Sequence, residues 1–420
     1  MPVELRPVTA VAVLIVVLLA GSIGSVVVTQ AASGPTANPT YLSLDDTDRQ
    51  LWSYTSTAHS FDRATLALNA IVYGEPGAVR RFLLLEEGRV DWNETASDEQ
   101  DVATDPTATE ATGPAVEWDI TTGSSRYVYL SDGSANGSSG QWLSVDYQVH
   151  DGTYLGSRHH IRAYTDPDRT AEWTAMQAHH EHWDWFMGRH VVTSTAESQS
   201  YVERDLISGT DAPEIRRVPA EEDRSDFDRW LTIVDLRDLG VTAAAVLPIV
   251  VFGSVTGRVG RAGSTLRERY PEEDVRTLLL AGGIVALTLS VRLLGIQLEG
   301  ALDVSPKTIA FGLYPGLFVG LPVVTYLLAR PLDRSRAFTG ASLGFVAAAL
   351  LDYSLLSVTH LSLSMLVYRG GLASALGLIA TGSSREERRD PEQVSHVRLG
   401  VLLWLVATLL PLLRHTPLPV

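Results

Sequence analysis

Apolar and polar positions divide the chain into two materials. Long runs with little or no charge occupy residues 8–29, 239–257, 277–298, 307–329, 338–359, 361–381 and 397–413, whereas 30–238 alternates short apolar stretches with polar ones. Each long run approaches the roughly 17–25 residues that cross a hydrocarbon core as a helix. Seven crossings are therefore expected, one at 8–29 and a six-helix bundle over 239–414. The first run follows Arg6 and is read as a retained anchor with residues 1–7 inside; a signal peptide cleaved near Ala31-Ala32 is the rival reading. Connections 258–276, 330–336 and 382–396 are rich in arginine, including Arg261, Arg330 and Arg385, while 299–306 carries only acids. The positive-inside rule then makes 337–382 a tight helical hairpin turning near His360, and sends 30–238 and the C-terminus outside.

The polar half reads as a linker and stalk helix over 30–64, with Asp45 and Asp46 near the start of that helix. A globular part follows over 65–208. It opens with a strand from Thr65 to Tyr73, breaks at Gly74-Glu75-Pro76-Gly77 and continues as a helix through Val79, Phe82 and Leu83. Strand-like runs recur at 127–130, 142–149 and 160–164, and helical spacing returns over 195–207. The stretch 94–120 has almost nothing to bury and is read as a solvated acidic insertion; 209–238 is read as a second linker. Glu172–Phe186 is ambiguous. As a helix it aligns Glu172, Met176, His179, Trp183 and Phe186, with His190 beyond; as two strands joined by a turn it does not, and strands are favoured. The fold class expected is an α+β exterior domain plus an all-α transmembrane helix bundle.

Charge sharpens this division. Residues 30–238 hold 36 of the 49 acidic residues but 16 of the 33 basic ones, and Lys307 is the single lysine. An acidic exterior with its cations skewed to arginine suits high salt, which screens self-repulsion, and points to a halophilic, archaeal source. It also disfavours nucleic acid as a partner. The expected partners are membrane lipids and an envelope protein or lipid-linked ligand. The chain has no cysteine, so disulfides, thiolate nucleophiles and Cys-ligated metals are excluded. It also has no Walker A string and no Rossmann fingerprint, and no cofactor is expected.

One resemblance rests on motif order: Asn69-Ala70-Ile71-Val72-Tyr73-Gly74, then Trp92, then Arg158-His159-His160-Ile161-Arg162, then His190, then Glu203-Arg204-Asp205. Over about 65–208 this resembles the C-terminal domain of LssY-type membrane-associated proteins. The resemblance implies a domain tied to multi-pass membrane segments and brings no settled activity. The acidic insertion, and a bundle that follows the domain rather than precedes it, depart from that pattern.

Two clusters are candidates for chemistry. In the exterior domain, Arg158, His159, His160, Arg162, His190, Glu203 and Arg204 offer a two-His, one-carboxylate metal site or an acid–base pair, set against a purely structural polar cluster. Because His159 and His160 are adjacent on a strand, they face opposite ways and at most one joins any such site. The run His179-His180-Glu181-His182 is weighed as a metal patch against packing histidines. In the bundle, Arg292, Tyr314, Asp352 and Arg369 fall at one depth on four helices. An Asp between two Arg leaves one positive charge for an anion or lipid headgroup; the competing reading is a helix-locking ion-pair network. Gly340-Ala341-Ser342-Leu343-Gly344 matches the nucleophile-elbow string but begins a membrane span, too far from His360 for activation. The function expected is a multi-pass envelope protein with an acidic exterior ligand- or partner-binding domain. The alternative is a membrane-bound hydrolase of lipid-linked or phosphorylated substrates.

Overall fold

The structure is a computed structural model that describes residues 41–45, 47–84, 92–94, 126–133, 139–168, 170–207, 214–219, 230–237, 272–358, 361, 363–387 and 395–413. The expected crossings at 8–29 and 239–257, nearly all of the insertion 94–120 and His360 lie outside these residues.

The N-terminal part is a sheet-rich domain. Its strands are β1 (Tyr41–Ser43), β2 (Gln50–Trp52), β3 (Tyr54–Ser56), β4 (Ala64–Ala67), β5 (Ala70–Tyr73), β6 (Asn93–Glu94), β7 (Tyr127–Ser131), β8 (Gly140–Ser144), β9 (Tyr147–Gly152), β10 (Ser157–Thr165), β11 (Trp173–Asp184), β12 (Arg189–Ser194), β13 (Glu214–Pro219) and β14 (Trp230–Asp235). Helices α1 (Pro76–Leu84) and α2 (Ala196–Ile207) complete it. One sheet runs β1-β2-β7-β3-β4 with β8 beside β7; the other runs β13-β14-β5-β11-β10-β9-β6 with β12 on β11.

Strand periodicity sends alternate side chains of β11 to two different cores. Trp173 and Ala175 join Leu51, Leu130 and Tyr164 between the sheets, while Met176 and Ala178 join Val79 of α1 and Val202 of α2. Every residue of β11 is buried, as expected of a central strand covered on both faces. Its composition therefore reads equally well as a buried helix, the source of the ambiguity at 172–186, and in place of the two strands joined by a turn expected there the structure has one continuous strand, with the turn only after Asp184.

Further expectations need correction, beginning with the single strand expected from Thr65 to Tyr73, which is two, β4 and β5, on different sheets. Residues 41–56 are three strands rather than a stalk helix: the acidic stretch after Leu44 is the connection from β1 to β2, and the Asp45 N–H donates to the Tyr73 hydroxyl at 2.8 Å. The linker 209–238 contains β13 and β14, and β14 pairs in parallel with β5, so the domain reaches Asp235. The run 142–149 is two strands broken before Tyr147.

The C-terminal region is helical: α3 (Glu272–Ala301), α4 (Pro306–Ala329, with a π-helical turn at Gly316–Gly320), α5 (Arg334–Leu355), α6 (Leu363–Ser383) and α7 (His396–Leu413). Among the described residues four helices, α3 to α6, are long and apolar enough to cross a membrane, and α7 is a shorter apolar helix. Large apolar side chains such as Leu279, Phe311, Val319 and Leu343 stand exposed along them, a surface compatible with helices that cross a membrane. Inside, small residues let backbones approach. A Cβ at Gly344 would lie 2.7 Å from the Cα of Ala281. Gly340 and Gly344 are thus a small-xxx-small stripe packed on α3, which is what the elbow-like string amounts to, and the Ser342 hydroxyl donates to the Ala373 carbonyl of α6 at 3.1 Å.

Candidate functional site: a histidine quartet above an arginine socket

Two hairpin tips of the larger sheet enter the helical region. The tip between β9 and β10 brings Tyr154 and Leu155, and that between β11 and β12 brings Trp185 and Phe186, into one apolar core with α3 to α7. Each tip is held by its backbone. Glu299, at the end of α3, accepts from the N–H groups of Tyr154 and Leu155 at 2.6 and 2.8 Å. Arg292 donates to the carbonyls of Leu155 and Trp183, one from each tip, while pairing bidentately with Asp352 of α5 at 2.7 and 2.8 Å. Arg369 donates to Asp184 at 2.7 Å and to the Tyr353 hydroxyl at 2.8 Å.

Asp184 serves both sides of the joint. Its other oxygen accepts from the N–H groups of Phe186 and Met187, and Gly188, at φ +62°, closes the turn. Burial alone would raise the Asp184 carboxyl, but Arg369, His182 and those two amides hold it below the usual carboxylate range. The candidate bundle cluster is therefore split into two ion pairs. Arg292 goes to Asp352, and Arg369 goes to a carboxylate from the sheet domain, which balances the charge that the bundle alone leaves unpaired. Tyr314 meets the same tip through Trp185, ring centroids 5.5 Å apart.

Above this socket, antiparallel register sets His159 opposite His180 and His160 opposite His179. The two pairs lie on opposite faces of the sheet. On the α2 face, His159 Nδ1 meets the Ser198 hydroxyl at 2.7 Å and its ring stacks on Tyr201. His180 Nδ1 meets Thr193 Oγ1 at 2.8 Å, and Glu197 lies 3.8 Å from it. Burial, then His180 and Arg204, push His159 down to about 3.

The inner pair belongs to a buried polar chain. Arg162 donates to Gln177 Oε1 at 2.9 Å, which turns the amide nitrogen toward His179 Nδ1 at 3.2 Å. The ring proton of His179 then sits on Nε2 and goes to Glu181 Oε2 at 3.0 Å. Arg158 donates to Glu181 Oε1 at 2.8 Å. Burial would raise Glu181, but His190, Arg158 and His179 hold it well below the normal range, while burial lowers His179 to about 4. His160, 3% exposed, has no hydrogen-bond partner at either ring nitrogen.

The remaining candidates are dispersed. His190 lies on the inner face, its Nε2 2.9 Å from the Tyr154 carbonyl. Glu203 lies on the other face, engaged by Arg217 and by Thr232 at 2.6 Å, so these two do not converge. Arg204 is exposed and stands over the Tyr201 ring. Other residues of the motif order are structural. The Asn69 amide bonds both ways to the backbone of Ala178, and Trp92 Nε1 donates to Asp205 at 2.7 Å. Reading by sequence missed Asp184, Glu299 and Gln177, because their partners come from elements whose pairing only the register reveals. The paired His-His dipeptides were the available signal.

Comparison of the chain with family profiles, curated proteins and solved structures finds no match.

Proposed function

We propose that this chain is a multi-pass cell-membrane protein that seats an acidic exterior domain rigidly on its bundle, where the domain binds a ligand or protein partner and the bundle anchors and relays its state. The observation that carries this reading is the socket. Arg292 bonds backbone carbonyls of both hairpin tips and Arg369 takes Asp184, so the domain is bolted to the helices rather than tethered by a linker.

Orientation is supported by where the charges fall. Arg334, Arg336 and Arg385 pair with Glu387 and Glu273 at the helix ends remote from the sheet domain, which suits a cytoplasmic face there and an exterior domain at the other end. Seven crossings, with 8–29 and 239–257 added to the helices described above, complete the proposed topology. The LssY-like reading of 65–208 is kept as part of the proposal. The hydrolase reading, in the form that uses the exterior residues, requires His159 or His160 to converge with His190 and Glu203, and the placement of the last two on opposite faces does not favour it; in the form that uses the intramembrane arginines, Arg292 and Arg369 are already engaged by Asp352 and Asp184.

The absence of native cysteine allows a direct test. Ser139→Cys and Ser335→Cys, both at exposed positions, are treated in intact cells with a membrane-impermeant maleimide. Labelling at 139 at once, and at 335 only after lysis, is the expected result; the reverse pattern overturns the topology.

A further inference from the structure

We propose that His160, His179 and Glu181 form a binding site for a first-row divalent metal ion of the zinc type. Their donor atoms lie within 4.8 Å of one another. His179 Nε2 lies 3.0 Å from Glu181 Oε2, and His160 Nδ1 lies 3.7 Å from the other carboxylate oxygen, Oε1. A tetrahedral ion with ligands at about 2.0–2.1 Å needs donor–donor edges of roughly 3.3 Å, so with the three donors already within 4.8 Å of one another small side-chain shifts close the site on the ion.

The independent observation is His160, a buried imidazole with both nitrogens unpartnered. Such a group is destabilising unless something takes its lone pair. Two imidazoles and one carboxylate suit zinc and its neighbours, whereas calcium and magnesium want oxygen ligands. With three protein ligands, a fourth position is left for water or a further donor.

The surroundings set the affinity. Metal at His179 Nε2 moves that ring's single proton to Nδ1, which then needs an acceptor. Gln177 must turn its amide to supply Oε1, and Arg162 Nη1 gives up that bond. Arg158, on Glu181 and 5.1 Å from the Tyr154 ring centroid, orients the carboxylate while its charge opposes the ion. Gln177→Glu therefore improves the site: a carboxylate there accepts from Nδ1–H and pairs with Arg162, making the carboxylate–histidine–metal arrangement that raises ligand basicity.

The test uses the full chain in detergent and high salt, stripped with chelator and titrated with Zn²⁺ alone, then with Co²⁺ alone as a spectroscopic reporter. One equivalent of zinc per chain and a tetrahedral cobalt spectrum are expected in the wild type. His160→Asn and Glu181→Gln should weaken binding by at least ~10-fold, and Gln177→Glu should tighten it by on the order of 10-fold. His182→Asn, on the other face, should leave it unchanged, and thermal melts report folding of each variant. Should His160→Asn not fold, Gln177→Glu carries the test alone. Less than stoichiometric zinc in the wild type overturns the site, as does undiminished zinc in folded His160→Asn or unchanged affinity in Gln177→Glu.

Discussion

Arg369 and Asp184 form a buried pair whose members come from different domains, with side chains 10% and 0% exposed. Removing one partner of such a pair leaves the other as an uncompensated buried charge, at a cost of about 3–5 kcal/mol. Asp184→Asn and Arg369→Gln are each expected to lower stability by that order in detergent melts. Their double variant should be no worse than either single one, and additive losses would mean the pair is not coupled.

Protonation adds a second expectation at this scale. Burial holds His150 and His190 at about 4, whereas in the unfolded chain they protonate near 6.5. Between those values the unfolded state binds more protons, so stability of the chelator-treated protein falls as pH drops from about 6.5 to about 4. Asp184 and Glu181, depressed in the folded state, contribute stability above their unfolded values that is lost only at lower pH as they protonate. Denaturation midpoints across this range check the sign, and His190→Gln should flatten the slope.

The hairpin tips and the helix crossings are where elements determine the result. Phe186 lies edge-on to Phe345 and Trp404, at 5.4 and 6.0 Å between centroids. Its truncation to Ala is expected to cost about 3–5 kcal/mol and to expose the β11–β12 turn to protease. Gly344→Val, placed against the Ala281 backbone, should separate α3 from α5 and lower the melting temperature, whereas Leu343→Val on the exposed side should not.

Much at this scale was legible in the sequence. The helices from α3 to α7 follow from uninterrupted apolar length, and β5, α1, β10 and α2 from local period and turn residues. Elements whose sense depends on distant partners were not legible. β1 to β3 are three-residue strands without a full period, and β13 is arginine-rich and holds its place through β14. The opposed faces of His159 and His160 could be derived from alternation alone, but their partners His180 and His179 required the register. The bundle arginines were identified as costly, while the carboxylate that completes them lay in a turn of the other domain.

For the whole molecule, the acidic surplus of residues 30–238 predicts that stability rises with salt as like charges are screened. Melting temperatures that fall between low and molar KCl would contradict the halophilic reading. The larger consequence is mechanical. Two backbone tips, two buried ion pairs and one continuous apolar core join domain and bundle by direct contact rather than through a linker.

That docking is tested most directly by cross-linking. A Cβ placed at Gly156 lies 3.1 Å from Ile296 Cδ1 of α3, and the chain has no other thiols. In membranes, Gly156→Cys with Ile296→Cys should join rapidly under a short thiol-reactive cross-linker, and Arg292→Ala should abolish the product. Failure of the intact pair to cross-link in a folded protein would mean that the sheet domain does not sit in the arginine socket.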